Sequence, residues 1–167
     1  MEPSETTEPF CYGAVIKEQW KKVKEELKDE TKIVAAMTAS RDTAVHLAVY
    51  SGEEEPLRSL LLHISGMDEV SWKNSSGNTP LHEAAIVGNL AAVKLLVEFN
   101  KEDLLALNDP WETPLFSAAR CGHLHIVNYF LEDCDDFFSR SSRNWTNRKG
   151  TPIIHAPPFN VKILMWF

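Results

Sequence analysis

The chain has 167 residues, of which 44% are hydrophobic, so it is long enough and apolar enough to bury a core. Its formal net charge is −7 and no stripe of Lys and Arg compensates, which argues against a nucleic-acid backbone as the main partner. The 3 cysteines are scattered, an odd set that does not indicate a disulfide framework.

The N-terminal part contains one amphipathic segment. Residues 1–9 are acidic and lack the basic and apolar regions of a signal peptide, so we expect a disordered N-terminus and no export. Within residues 10–42, apolar residues from Ile16 to Leu27 fall on one helical face, and the simplest interpretation is a single amphipathic helix. Glu18 and Val23 are also spaced like the glycine and the second-helix Leu or Val of the later copies. We therefore favour a degenerate capping repeat followed by a linker.

A unit beginning at Thr79 and reading TPLHEAAIVG recurs along the chain. Its Thr can cap a helix, its Pro suits the first turn, and its Gly supplies the left-handed residue that ends the helix. The Thr-to-Gly distance is the same in each of three copies, and an apolar second helix follows each Gly. This register predicts consecutive helix pairs in residues 43–78, 79–112 and 113–150.

Residues 151–167 begin a fourth copy but break it. Pro157 and Pro158 fall where the first helix should continue, and the apolar tail then has no complete repeat to pack against. We expect the chain after about Ser139 to be poorly ordered or loosely docked, or the sequence to be a shortened form of a longer protein. Exposure of the apolar end of the array would promote self-association.

The repeated unit resembles the ankyrin repeat, with its T-P-L-H-x-A signature and its period of about 33 residues. The resemblance implies an all-α ankyrin-repeat solenoid of stacked helix pairs joined by hairpin-like fingers. In that repeat a Gly two residues before the Thr turns each finger. Only Gly77 is kept here, and Arg41, Trp111 and Lys149 stand at the equivalent positions. Those three fingers are expected to need another way to bend.

The segment DTAVHLAV from Asp42, the helix that contains Trp20 and the later HLHIVNYFLE resemble plant ankyrin-repeat proteins. Longer members of that family continue into the PGG domain, a membrane segment, and are associated with defence and stress signalling. The resemblance implies a cytoplasmic binding protein without a PGG domain. The alternative is a truncated form or cytosolic arm of a channel-like membrane protein, held at the cytosolic face of the plasma membrane through longer family members. No run approaches the roughly 20 apolar residues of a membrane helix, so we expect no direct insertion.

Candidate residues for chemistry have simpler structural interpretations. His46 and His82 share one position of the repeat and could form a metal pair, but this position in ankyrin repeats usually hydrogen-bonds the turn, and the third copy has Phe116 there. Cys121 lies beside His123 without an orienting third group. We therefore predict no enzyme activity, no metal and no cofactor.

The remaining candidate is a surface. In an ankyrin array the fingers and first helices line a concave face whose side chains face solvent in the unbound protein, and the register places Leu47, Tyr50 and Ser51 there in the first copy. We predict a non-catalytic module that binds a protein partner, and no nucleic acid, through this face. The predicted protein-binding residues are Tyr50, Glu83, Ile86, Val87, Trp111 and Arg120.

Overall fold

The structure is a computed structural model that describes residues 38–65 and 72–134. The predictions for the N-terminus and capping repeat, for Lys149 and for the broken fourth copy lie outside these residues. Helices form every regular element of the described part, in agreement with the predicted all-α fold. They are α1 (Ala44–Ser51), α2 (Glu54–Ile64), α3 (Pro80–Val87), α4 (Leu90–Phe99), a 3₁₀ helix (Lys101–Leu105), α5 (Pro114–Cys121) and α6 (Leu124–Glu132).

Each helix pair begins and turns where the repeated Thr and Gly stand. The Thr79 hydroxyl accepts a hydrogen bond from the His82 N–H, and Thr113 does the same for Phe116. The first helices end at glycines with left-handed φ angles, for example 76° at Gly52 and 81° at Gly88. The spacing of Thr and Gly therefore predicted the helix pairs through local backbone chemistry.

The helices form two layers. The inner helices α1, α3 and α5 pack side by side, and the outer helices α2, α4 and α6 pack behind them. Side chains from both layers meet in one core, in which Leu57, Leu81 and Phe130 are fully buried. Within the described residues, no helix is long and apolar enough to cross a membrane.

The second and third repeats make close contact at Gly88. His123 stands at the start of α6, and a Cβ added at Gly88 would lie 2.7 Å from its Cε1 atom. The His123 Nε2 lies 2.9 Å from the carbonyl oxygen of Ile86, in the last turn of α3. Gly88 is therefore required both for its left-handed backbone and for the space that the imidazole occupies.

The three fingers in the described part of the chain bend alike, whether or not they contain glycine. Arg41, Gly77 and Trp111 have φ angles of 60°, 71° and 63°. The N–H of each donates to a carbonyl three residues earlier, at 2.9 to 3.0 Å. The expectation that the fingers of Arg41 and Trp111 need another way to bend is wrong, because both residues adopt the left-handed conformation at a steric cost.

Candidate protein-binding surface

Three large apolar side chains are exposed on the side of the array formed by the fingers and the inner helices. Tyr50 and Val87, near the ends of α1 and α3, are 42% and 47% exposed, and Trp111, in the third finger, is 54% exposed. Ile86 and Arg120 occupy equivalent positions of α3 and α5, with Ile86 half-buried and Arg120 exposed. We call Tyr50, Ile86, Val87, Trp111 and Arg120 the finger-side surface.

The expectation that Glu83 faces solvent is wrong. Glu83 is only 8% exposed, because its Oε1 accepts hydrogen bonds from Asn78 Nδ2 at 2.7 Å and Asn74 Nδ2 at 2.9 Å. Leu47 and Ser117, at the same repeat position, are also buried. This position lies between an inner helix and the neighbouring finger, so its side chain contributes to contacts between repeats.

Two carboxylates, Asp42 of the first finger and Glu83 of α3, share one neutral donor. Asn74 Nδ2 lies 3.1 Å from Asp42 Oδ1 and also donates to Glu83, so one amide joins the two groups. The Tyr50 hydroxyl donates to Asp42 Oδ1 at 3.4 Å. Burial raises the pKa of Tyr50, and the negative charges of Glu83 and Asp42 raise it further. The Tyr50 phenol therefore stays protonated and donates to Asp42, close to the second carboxylate.

In the third repeat, the residue at the position of Tyr50 forms an ion pair. Arg120 stands where the first repeat has Tyr50, and its Nε lies 3.1 Å from Oε2 of Glu112. Glu112 in turn stands where the first repeat has Asp42, and it is largely buried while Arg120 is not. The Arg120 guanidinium thus covers a buried carboxylate from the solvent side.

Amide side chains hold successive fingers in register. Asn108 Nδ2 donates to Asn78 Oδ1 at 2.8 Å, and the backbone N–H groups of Ser75 and Asp109 donate to carbonyl oxygens of the preceding finger at 2.7 and 3.1 Å. The sequence interpretation missed the roles of Asn74, Asn78 and Asn108. Their signal was present: in each of the three complete copies, one polar residue stands five positions before the Thr and another stands directly before it.

The two buried histidines link repeats. Nδ1 of His82 accepts from the Thr79 N–H at 3.2 Å, and its Nε2 donates to the Glu112 carbonyl oxygen at 2.9 Å. His46 makes the same contacts with Thr43 and Asn78, so the predicted hydrogen bonds to the turn are confirmed. Burial lowers the pKa of His46 and lowers that of His82 to about 4, so both rings are neutral at pH 7.

No group of three or more His, Cys, Asp and Glu side chains in residues 38–65 and 72–134 is placed to hold a metal ion. Nε2 of His125 lies 3.2 Å from the carbonyl oxygen of Gly88, so His123 and His125 both contact backbone of the preceding repeat. Their arrangement contributes to packing between repeats.

Comparison with known proteins agrees with this arrangement. The family model of ankyrin repeats in three copies matches residues 14–108, and a single ankyrin repeat matches residues 111–140. The chain is 39% identical to a Notch-regulated ankyrin repeat-containing protein of Xenopus tropicalis over 97 residues, which is 58% of this chain and 82% of that protein. Its human counterpart is 40% identical over 85 residues, covering 50% of this chain and 74% of that protein. An α-latrocrustotoxin of Latrodectus tredecimguttatus is 34% identical over 62% of this chain but only 7% of its own length. The stacked helix pairs and these matches together show that the chain belongs to the ankyrin-repeat family.

Proposed function

We propose that this chain is a non-catalytic interaction module that binds a protein partner on its concave side through the finger-side surface. The observation that carries the proposal is Trp111, a large exposed aromatic residue held at a φ angle of 63°. Glycine would adopt this conformation without strain, whereas an L-residue pays about 1 to 2 kcal/mol. Tryptophan is also among the residues that most often dominate the energy of an interface.

Exposure alone does not distinguish the two sides of the array. Leu62 and Leu124 are exposed on the outer helices, with Leu62 at 72%. The finger-side surface differs because hydrogen bonds between fingers fix the backbone that carries Trp111. A partner that binds a rigid surface loses less conformational entropy, so more of the contact energy appears as affinity.

The test uses the full chain as bait in an extract of the cells that produce it. Captured proteins are identified, purified and titrated against the chain by calorimetry. Replacement of Val87 and Trp111 together by Ser should weaken the affinity at least about tenfold, because it removes two apolar anchors. The matched control replaces Leu62 and Leu124 by Ser on the outer helices. Equal affinity of both variants and the wild type would exclude the finger-side surface.

The biological context is a separate part of the proposal. Two of the relatives named above, from Xenopus tropicalis and human, are described as Notch-regulated, so a signalling role is the first to test. The plant relationship, the link to PGG-domain proteins and the role in defence or stress stay predictions without support among these relatives. A cytoplasmic location and self-association are likewise proposed. Fluorescence microscopy of a tagged chain tests the location, and analytical ultracentrifugation tests the self-association.

A further inference from the structure

We propose that the partner of the finger-side surface is a peptide segment with an Arg or Lys side chain that pairs with Asp42 and Glu83, beside Tyr50. This inference rests on the proposed function and adds the chemical class of the partner. It concerns one end of the surface, where two largely buried carboxylates meet a half-exposed phenol.

No Arg or Lys side chain of the described residues forms an ion pair with Asp42 or Glu83. Within the described residues, the ion pairs are Arg58 with Glu54 and Arg120 with Glu112, and neither includes Asp42 or Glu83. Their hydrogen-bond donors are neutral amides and hydroxyl groups. Two neighbouring carboxylates with neutral donors leave a region of negative potential that attracts a cation.

The third repeat provides an internal precedent for the cation. There the residue that precedes the repeat Thr is Glu112, and the Arg120 guanidinium covers it from the solvent side. In the first repeat the corresponding carboxylate is Asp42, but Tyr50 stands where Arg120 does. The repeat geometry therefore accommodates a guanidinium over this carboxylate, and in the first repeat a partner can supply it.

The geometry also sets the spacing of the partner segment. Val87 lies on the inner helix next to that of Tyr50, and packed helices are about 10 Å apart. An extended peptide covers that distance in about three residues. We therefore expect the partner peptide to have an apolar residue about three positions from its basic residue, and the apolar side chain to pack on Val87 and Ile86. Arg should be preferred to Lys, because its planar fork can donate to two carboxylates at once.

The experiment selects binders from a random-peptide library displayed on phage, with the full chain as target. Wild-type protein should enrich peptides that have Arg or Lys about three residues from an apolar residue. The double variant Asp42→Asn and Glu83→Gln keeps acceptor oxygens but removes the negative charges. It should enrich peptides that have the apolar residue without a preference for the basic one. In a synthetic peptide from the wild-type pool, replacing Arg by citrulline should weaken binding to wild-type protein roughly ten- to a hundredfold and binding to the double variant much less.

A second variant changes no member of the amide network. Tyr50→Arg places a guanidinium over Asp42, as Arg120 lies over Glu112, and should remove the preference for basic peptides while the circular dichroism spectrum stays helical. Glu98→Gln on the outer helix α4 removes one negative charge elsewhere and should leave the preference unchanged.

The outcomes separate the two proposals. Apolar binders without a basic residue would overturn the present inference and leave the proposed function standing. A basic preference that survives both Tyr50→Arg and the double variant would also overturn it, because the cation would then bind elsewhere. Failure to obtain any binder that depends on Val87 and Trp111 would refute the proposed function itself.

Discussion

Replacement of Gly88 by Ala should destabilise the protein considerably more than the same replacement at Gly52. Both glycines end an inner helix at a left-handed φ angle, 81° and 76° respectively. The added methyl group therefore costs about 1 to 2 kcal/mol of backbone strain at either site. At Gly52 no atom of the described part of the chain lies within 4 Å of the new Cβ, so the strain should be the whole effect.

At Gly88 the new Cβ also collides with His123. It would lie 2.7 Å from Cε1 and 2.8 Å from Nδ1, so the imidazole must move. Movement breaks the 2.9 Å hydrogen bond between Nε2 and the Ile86 carbonyl oxygen, which contributes about 1 kcal/mol, and disturbs packing between the repeats. The total expected loss for Gly88→Ala is about 3 kcal/mol, about 1 to 2 kcal/mol more than for Gly52→Ala.

Urea unfolding followed by far-UV circular dichroism measures both free energies. A double-mutant cycle with His123→Ala isolates the collision, since without the ring the cost of Gly88→Ala should fall to that of Gly52→Ala. Equal losses at the two glycines, or a Gly88→Ala cost that does not change when His123 is removed, would refute this reasoning.

Three further predictions follow from the buried polar groups and the strained finger. The pKa of His82 is about 4 in the folded protein, below the value of about 6.5 in the unfolded chain. The unfolded chain therefore takes up the proton first as the pH falls. His82 contributes about 3 kcal/mol to the free energy of unfolding above pH 6.5, and this contribution is lost as the pH falls to about 4. Urea midpoints across this range should fall less steeply for His82→Phe, and an identical slope would contradict the assignment. Trp111→Gly should be about 1 kcal/mol more stable than Trp111→Ala, since only glycine relieves the left-handed strain; thermal unfolding that ranks Ala first would show that the finger is not strained. Glu83→Ala leaves the amides of Asn74 and Asn78 without their acceptor and should cost about 1 to 3 kcal/mol more than Glu83→Gln in the same urea assay, so equal stability would mean that these hydrogen bonds are not important.

The helix pairs could be predicted from the sequence because their signals are local. A Thr that caps a helix, a Pro in the first turn and a Gly in the left-handed conformation each act within one turn of the chain. The positions of Thr79 and Gly88 therefore fix α3 almost completely. The apolar spacing after each Gly then indicates the outer helix that covers it.

The finger geometry and the burial of Glu83 could not be predicted in this way. Trp111 and Arg41 adopt an angle that their side chains disfavour, because hydrogen bonds along and between the fingers determine the bend. Glu83 is buried by amides from the preceding finger, a contact between elements that helical register does not encode. Exposure at Tyr50, Val87 and Trp111 was predicted correctly, whereas their role in binding stays a prediction.

Hydrogen–deuterium exchange of the full chain, with and without a selected peptide or an identified partner, tests the proposed binding surface most directly. Binding at the finger-side surface should slow the exchange of amides in residues 74–79 and 108–113 and near the ends of α1 and α3, and should leave α2 and α4 unchanged. Slower exchange confined to the outer helices α2, α4 and α6 would contradict the proposal that the partner binds this surface.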